Sequence, residues 1–438
     1  MKARFLAVAL LLAPWAVAAD PVVVQGADLK LLGEVKAIAS RVAGLLGIRD
    51  AGTPAAIRAD AAARRALLEA AESLPAERLA ARGRSWEDLG LGERGLPARL
   101  RRILAEDLEG AALDGDGRRL MVDPGRLSDA DFAPGTPGTD AASLLLVAGV
   151  RPDEPMLAHY VDHARAGWTA ARFPDTTDAW LAAAAWAEGR ANLAALSLLF
   201  EGVGLIDAVA DGKVVPSSVL GGSLVPEPFQ TGSPVERALL FFVYEEGFAQ
   251  AALRLKAGGF GRIVSEAGVR RTTRDVLHPD RAPFGGDLPE VPPPPAGFRV
   301  ADRDVLGEQG IITVISTLTG KDNLGLLAGD GWAGDVLVRH EPDAGNGDGY
   351  TLWVVRAVDE PKATDFAYGV LRGFEERYAG LKWEGDAASK SLRSADRIVR
   401  FRRNGTVIRI RIASPTVDAA LEKSSVESAP RRAPSSTK

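Results

Sequence analysis

The stretch Leu157-Ala158-His159-Tyr160-Val161-Asp162-His163 contains two of the four histidines in the chain. A helix is predicted over 153–173, and residues four apart on a helix lie on the same face. Both imidazoles can therefore bind one metal ion. Glu188 follows at a distance that allows a second helix to bring its carboxylate to the same ion. The spacing predicts a metal site formed by His159, His163 and Glu188.

The residue after the first histidine departs from the metalloprotease pattern His-Glu-x-x-His. In that pattern the glutamate is the general base that takes a proton from water at the metal. Here the position is Tyr160. A phenol titrates near about pH 10, so at neutral pH it donates a hydrogen bond but accepts a proton poorly. Asp162 and Glu154 are poorly placed on the helix to replace the base.

An alternative interpretation treats His159 and His163 as unrelated residues. In a chain with only four histidines, a pair at this spacing arises by accident in roughly a few per cent of sequences. The two histidines and Glu188 would then form only a polar network between helices. The metal content of the purified protein separates the two interpretations.

The first 19 residues have the three parts of a secretory signal peptide. Met1-Lys2-Ala3-Arg4 is basic, the run from Phe5 to Ala13 is apolar, and Ala16-Val17-Ala18-Ala19 supplies small residues for cleavage. The mature chain would begin near Asp20. No later stretch approaches the roughly 20 apolar residues of a membrane span. We therefore expect a periplasmic or secreted protein without stable membrane insertion after signal cleavage.

The composition narrows the possible chemistry. The chain has no cysteine, which excludes disulfides, thiol catalysis and cysteine-ligated zinc. The net charge of -5 is spread without blocks of like charge and gives no sign of nucleic-acid binding. A peptide or protein remains a possible partner. The length of 438 residues suggests two or three domains.

Apolar residues at helical spacing predict a largely helical N-terminal region. The helices predicted there cover 29–48, 55–73, 97–109, 153–173, 175–208 and 235–255. Two strand-turn-strand patterns predict hairpins, over 111–122 and 397–412. The other C-terminal elements predicted are helices 311–318 and 363–378 and strands 335–338 and 351–355. The predicted fold class is α+β.

Glycines and prolines divide the chain into segments. Pro292 to Pro295 form a stiff polyproline run, which marks the clearest domain boundary. The composition of the last residues, rich in Ser, Pro and charge, is typical of disorder. The predicted organisation is a signal peptide 1–19, a mainly helical domain 20–285, a Pro-rich linker 286–298, an α+β domain 299–414 and a disordered tail 415–438.

Several short motifs follow one another in a characteristic order. They are Leu157-Ala158-His159 with His163-Ala164, Glu188-Gly189, Tyr244-Glu245-Glu246-Gly247-Phe248, Leu277-His278-Pro279 and Gly331-Trp332-Ala333-Gly334-Asp335. This order is similar to that of a family of bacterial exported zincin-like proteins of the gluzincin type, and the resemblance covers most of the chain. It implies a zincin-like domain over 20–285 and zinc as the cofactor. The three ligands map onto His159, His163 and Glu188.

The resemblance also places Tyr160 at the general-base position. It therefore implies a catalytically impaired pseudoprotease that retains a zinc site. One alternative is an active zinc metallohydrolase that takes its base from elsewhere, for instance Glu201 or Glu245. Another alternative is a periplasmic binding or scaffold protein without a metal.

The two remaining histidines have different interpretations. His278 matches the family's Leu-His-Pro element, and the resemblance places it beside the metal ligands or the substrate. The favoured interpretation from the residues is a structural turn residue before Pro279. His340, next to Glu341-Pro342, is interpreted as a surface residue at the end of a strand.

Overall fold

The computed structural model describes residues 29–45, 55–58, 74–106, 111–113, 119–122, 154–166, 174–199, 204–214, 231–345 and 348–427. Helices dominate the N-terminal part, and a seven-stranded antiparallel sheet dominates the C-terminal part. This arrangement confirms the predicted α+β class. The predicted signal peptide lies outside the described residues, as does Glu201.

Most predicted helices are present in the described residues, but the helix predicted over 175–208 corresponds to two described helices, and a π-helical turn interrupts the one predicted over 235–255. The N-terminal helices are α1 Leu29–Leu45, α2 Ala76–Leu89, α3 Leu96–Glu106, α4 Glu154–Ala166, α5 Thr177–Leu199 and α6 Leu205–Ala210. They continue as α7 Pro234–Phe241, a π-helical turn Phe242–Glu246, α8 Gly247–Gly258, α9 Phe260–Val269 and α10 Thr273–Leu277. The C-terminal helices are α11 Gly307–Thr319, α12 Asp322–Gly329, α13 Glu360–Arg377 and α14 Pro415–Glu427.

The N-terminal strands form a small three-stranded sheet in the order β1-β3-β2. They are β1 Ala55–Arg58, β2 Ala111–Leu113 and β3 Arg119–Val122. The β2–β3 hairpin confirms the strand-turn-strand prediction. The helix predicted over 55–73 is wrong at its start, because Ala55–Arg58 pairs in parallel with β3. Pairing with a distant strand overrides the local helical pattern there.

The C-terminal sheet has the strand order β4-β5-β6-β10-β9-β8-β7. Its strands are β4 Phe298–Asp304, β5 Trp332–Pro342, β6 Tyr350–Ala357, β7 Glu384–Gly385, β8 Ser389–Arg393, β9 Ile398–Asn404 and β10 Val407–Ala413. The predicted hairpin about Asn404-Gly405 is confirmed. Gly405 has a φ of 57°, in the left-handed region that such tight turns require.

Helix α14 corrects the prediction of a disordered tail over 415–438. Val417 and Leu421 are buried against the face of the sheet that α14 covers. Asp418 accepts hydrogen bonds from two arginines on β9 and β10. The apolar contacts and this ion pairing offset the entropy lost on ordering the segment. The last residues, 428–438, lie outside the described part of the chain.

One continuous hydrophobic cluster joins the N-terminal helices to the C-terminal sheet. Helix α2 packs against β4 and β5, and its buried Arg82 pairs with Asp302 of β4 at 2.9 Å. Asp335 of β5 accepts hydrogen bonds from the indoles of Trp332 and Trp353 and from backbone N–H groups at the start of α11. The two predicted domains therefore share a large interface. Their division into separate units stays a prediction.

None of the helices in the ranges given above combines the length and the apolar character needed to cross a bilayer.

Candidate metal centre

Two neighbouring helices carry the predicted ligands. Helix α4 bears His159 and His163, and α5 bears Glu188. Almost every residue of α5 is buried, and its sequence is rich in alanine. A helix that is apolar all round lies in the interior of a protein, and small side chains allow neighbouring helices to approach closely. The sequence of α5 thus places Glu188 inside the molecule, against α4.

The three side chains converge on one point. The Nε2 atoms of His159 and His163 lie 3.0 Å apart. Glu188 Oε2 lies 3.3 Å from His159 Nε2, and Glu188 Oε1 lies 3.5 Å from His163 Nε2. All three side chains are buried. The predicted grouping of these residues is therefore present in the structure, as a group that could hold a metal ion.

The separations fit a tetrahedral ion. Ligand atoms about 2.0–2.2 Å from zinc lie about 3.3–3.6 Å from one another in tetrahedral geometry. The two distances between histidine nitrogens and Glu188 oxygens, 3.3 and 3.5 Å, fall in this range, and the two histidine nitrogens, 3.0 Å apart, are slightly closer. Two imidazoles and one carboxylate form a ligand set that zinc favours. Neither oxygen of Glu188 has a well-formed hydrogen bond in the described part of the chain. A buried carboxylate without hydrogen bonds is costly, and a bound cation would offset that cost.

The protonation states also suit a metal ligand set. Burial lowers the pKa of His163, and the attraction of Glu188 offsets this effect only in part. Burial raises the pKa of Glu188, but His163 and His159 outweigh it and lower the pKa below its ordinary value. The carboxyl group is thus ionised at neutral pH. Metal binding requires a neutral imidazole and an ionised carboxylate.

The residue at the general-base position lies within α4. Tyr160 directly follows His159 there, and its side chain is outside the described part of the structure. Asp162 is buried, and both of its oxygens lie 3.1 Å from the Arg190 guanidinium. The structure therefore gives Asp162 a different contact from the metal group.

His278 belongs to a second polar group. Its Nε2 lies 2.6 Å from Glu308 Oε1, at the start of α11. Burial raises the pKa of Glu308 to about 8 and lowers the pKa of His278, so it favours the neutral form of each group. The metal-binding group found among the described residues does not include His278. The predicted place of His278 beside the metal ligands or the substrate stays a prediction.

The other candidate base, Glu245, lies in the π-helical turn between α7 and α8. It is buried, and the turn packs against α5. Single π-helical turns are frequent at functional sites.

Two glycines allow α5 to contact the π-helical turn and α8 closely. A Cβ on Gly189 would lie 2.1 Å from the carbonyl oxygen of Gly247, and a Cβ on Gly247 would lie 2.1 Å from that of Ala185. Gly189 directly follows Glu188 in the sequence. The close contact of the two backbones therefore fixes the depth at which Glu188 lies.

Replacing Gly189 by alanine should destabilise the protein severely. The new methyl group would overlap backbone atoms, which cannot yield as a flexible side chain does. We expect a loss of about 3 kcal/mol or more in the free energy of unfolding. Gly268→Ala is the matched control, because Gly268 is exposed on helix α9 with no atom within 4 Å of the new Cβ. Its expected change is between zero and about 1 kcal/mol of added stability. Equal urea midpoints for the two variants would contradict the steric argument.

Sequence reasoning missed two polar side chains of α5. Arg190 pairs with Asp162, and Asn192 is fully buried with no hydrogen bond to its amide among the described residues. The sequence indicates both residues by their position, because Arg190 and Asn192 are polar residues within a largely apolar helix. Buried polar groups usually have a hydrogen-bond or ionic partner, so such a position predicts a polar contact inside the protein.

Comparisons with protein-family models, with curated proteins and with solved structures find no match for this chain. The resemblance to exported zincin-like proteins accordingly stays a prediction. The geometry of the three side chains is independent of that resemblance.

His340 corrects the interpretation of a surface residue. It is fully buried on β5 and stacks on Tyr350, with ring centroids 4.4 Å apart. Neither ring nitrogen has a hydrogen-bond partner in the part of the chain that the structure describes. Burial and the nearby Arg339 lower its pKa to about 4. Its neighbours Glu341 and Pro342 suggested exposure, whereas pairing of β5 with strands on both sides encloses the ring.

We expect His340 to make the protein sensitive to acid. In the unfolded chain its pKa is about 6.5, whereas in the folded protein it is about 4. Between these values only the unfolded chain binds the proton. The free energy of unfolding therefore falls as the pH falls through this window, by about 3 kcal/mol in total. The test measures the free energy of unfolding by urea titration at pH 7 and at about pH 4.5. Between these two pH values it should fall by about 2 kcal/mol less in His340→Phe than in the wild type. Equal losses would assign the acid sensitivity to other groups.

Proposed function

We propose that this protein is an exported zincin-like protein that binds zinc through His159, His163 and Glu188 and has little peptidase activity. The observation that carries the proposal is the convergence of three buried side chains, whose imidazole nitrogens lie 3.0 Å apart and 3.3 and 3.5 Å from the two oxygens of Glu188. The order of the elements also supports it. The β2–β3 hairpin precedes α4 in the chain and packs against it.

Three protein ligands are typical of a catalytic rather than a structural zinc site, because they leave one position open. Zinc in such a site acts as a Lewis acid toward an oxygen atom of a bound molecule. Glu188 supplies the negative charge, and the two histidines orient the site through α4. The two histidines and Glu188 would thus hold the zinc ion, and the ion would supply the polarisation of a bound ligand.

The missing step is proton transfer. Tyr160 stands where the family has a glutamate, and a phenol accepts a proton poorly at neutral pH. Loss of a positioned general base typically lowers a rate by about 10²–10⁴-fold. Asp162 is committed to Arg190. We infer a pseudoprotease, in which the metal site binds a peptide or another carbonyl ligand without efficient hydrolysis.

The test is the zinc content of the purified mature chain, measured by elemental analysis after exhaustive dialysis, together with a casein hydrolysis assay. We expect about one zinc ion per chain and a hydrolysis rate at least about 10²-fold below that of an active metallopeptidase. A protein without zinc, even after incubation with micromolar zinc, would indicate that the three side chains form only a polar network. Efficient, chelator-sensitive hydrolysis would indicate an active enzyme with another base.

A further inference from the structure

We propose that Asp162 and Arg190 are positioning residues for the metal site, because their ion pair fixes α4 against α5 at the level of the ligands. This inference rests on the proposed zinc binding. It assigns a function to two residues that are not themselves ligands. Both lie next to ligands in the sequence, since Asp162 directly precedes His163 and Arg190 follows Glu188 by two residues.

The ion pair joins the two helices that carry the site. Asp162 Oδ1 and Oδ2 both lie 3.1 Å from the same terminal nitrogen of Arg190. The side chain of Asp162 is 1% exposed and that of Arg190 is 11% exposed. At this depth solvent screens the attraction weakly. Removal of either partner would leave a buried charge uncompensated.

A third helix holds the arginine from another side. The Arg190 guanidinium lies over the ring of Phe260 in α9, 5.0 Å from its centroid. Contact with an aromatic face restricts a guanidinium and adds a cation–π attraction. The ring of Phe260 therefore helps to orient the guanidinium toward Asp162. Together, the ion pair and the ring contact connect α4, α5 and α9.

The distances at the metal site depend on the same helix contact. His163 and Glu188 approach to 3.5 Å only because α4 and α5 pack together. Zinc ligands must lie within a few tenths of an ångström of their required positions. A small shift of α4 along α5 would separate the imidazoles from the carboxylate. Loss of residues that orient the ligands typically weakens metal affinity about 10- to 100-fold.

The test compares zinc affinity and Co²⁺ absorption in four proteins, the wild type and the variants Asp162→Asn, Asp162→Glu and Glu154→Gln. Glu154→Gln is the matched control, because Glu154 lies on the same helix and its ion pair with Arg41, at 3.4 Å, is more exposed than the Asp162–Arg190 pair, with 18% and 42% of the two side chains accessible. Zinc affinity is measured by competition with a chromophoric chelator. Far-UV circular dichroism of the metal-free proteins establishes that each variant is folded.

We expect Asp162→Asn to bind zinc about 10- to 100-fold more weakly than wild type and to change the visible spectrum of bound Co²⁺. The control should match the wild type in both measurements. Asp162→Glu retains the negative charge on a side chain that is one methylene longer. It should therefore fold and lose less zinc affinity than Asp162→Asn. It thus serves as the decisive variant if Asp162→Asn does not fold.

A merely structural ion pair would lower stability without changing the metal site. If the folded Asp162 variants match the wild type in zinc affinity and Co²⁺ spectrum, this inference is wrong and the proposed function is unaffected. If the wild type binds neither zinc nor Co²⁺, the proposed function fails and the inference fails with it. A weakened, spectrally altered site in Asp162→Asn beside an unchanged Glu154→Gln would support the positioning role.

Discussion

Replacing His163 by alanine should reduce the zinc content of the protein from about one ion per chain to near zero. His163 is buried, and its Nε2 lies 3.0 Å from that of His159 and 3.5 Å from the Glu188 carboxylate. Its removal leaves one imidazole and one carboxylate, which hold zinc weakly. The measurement is elemental analysis after dialysis, followed by titration of the metal-free protein with zinc.

The alanine variant also loses a buried ring, so a second variant is needed. Glu188→Gln preserves the size of the side chain and removes its charge, and we expect its zinc affinity to fall about 100-fold or more. His278→Gln is the control, because His278 contacts Glu308 and is not part of the metal group. Full zinc content in His163→Ala would show that this histidine is not a ligand.

Replacing Tyr160 by glutamate should raise peptide hydrolysis by about 10²-fold or more. The substitution places a carboxylate directly after His159, where the metallopeptidase pattern has its general base. A carboxylate accepts a proton at neutral pH, whereas a phenol does not. The measurement is the initial rate of hydrolysis of a casein-type substrate by the zinc-loaded variant, with and without a chelator.

Tyr160→Gln is the matched control for the proton acceptor. Glutamine has nearly the size of glutamate but cannot accept the proton, so this variant should remain as inactive as the wild type. An active wild type that is unchanged by Tyr160→Glu would show that the base lies elsewhere and that the pseudoprotease assignment is wrong. A zinc-bound but inert Tyr160→Glu variant would show that the substrate cleft is also lost, which leaves a binding role.

Much of the local structure was predictable from the sequence. The apolar spacing predicted α1, α3 and α13, and the Asn404-Gly405 turn predicted the β9–β10 hairpin. The i, i+4 spacing of His159 and His163 predicted a shared helix face. These signals depend on residues close together in the chain, where periodicity and turn chemistry determine conformation.

The errors fall where a distant partner determines the outcome. Ala55–Arg58 has a helical pattern but pairs with β3. The segment that forms α14 has a composition typical of disorder, yet two of its apolar residues, Val417 and Leu421, pack against one face of the sheet. His340 has polar neighbours but is enclosed by paired strands. Composition alone does not specify which surfaces meet.

The sequence by itself determined the residue types at the candidate site and the spacing of the two histidines on α4. It also determined that position 160 carries a tyrosine where the metallopeptidase pattern has a glutamate, and it indicated the α+β class. Only the tertiary structure decided that Glu188 faces the histidines, that Gly189 lies against Gly247, and that the site is accompanied by an Asp162–Arg190 pair. The physical reason is the range of the interactions. Helix spacing is set by backbone hydrogen bonds between near neighbours, whereas the approach of α5 to α4 depends on packing among residues far apart in the chain.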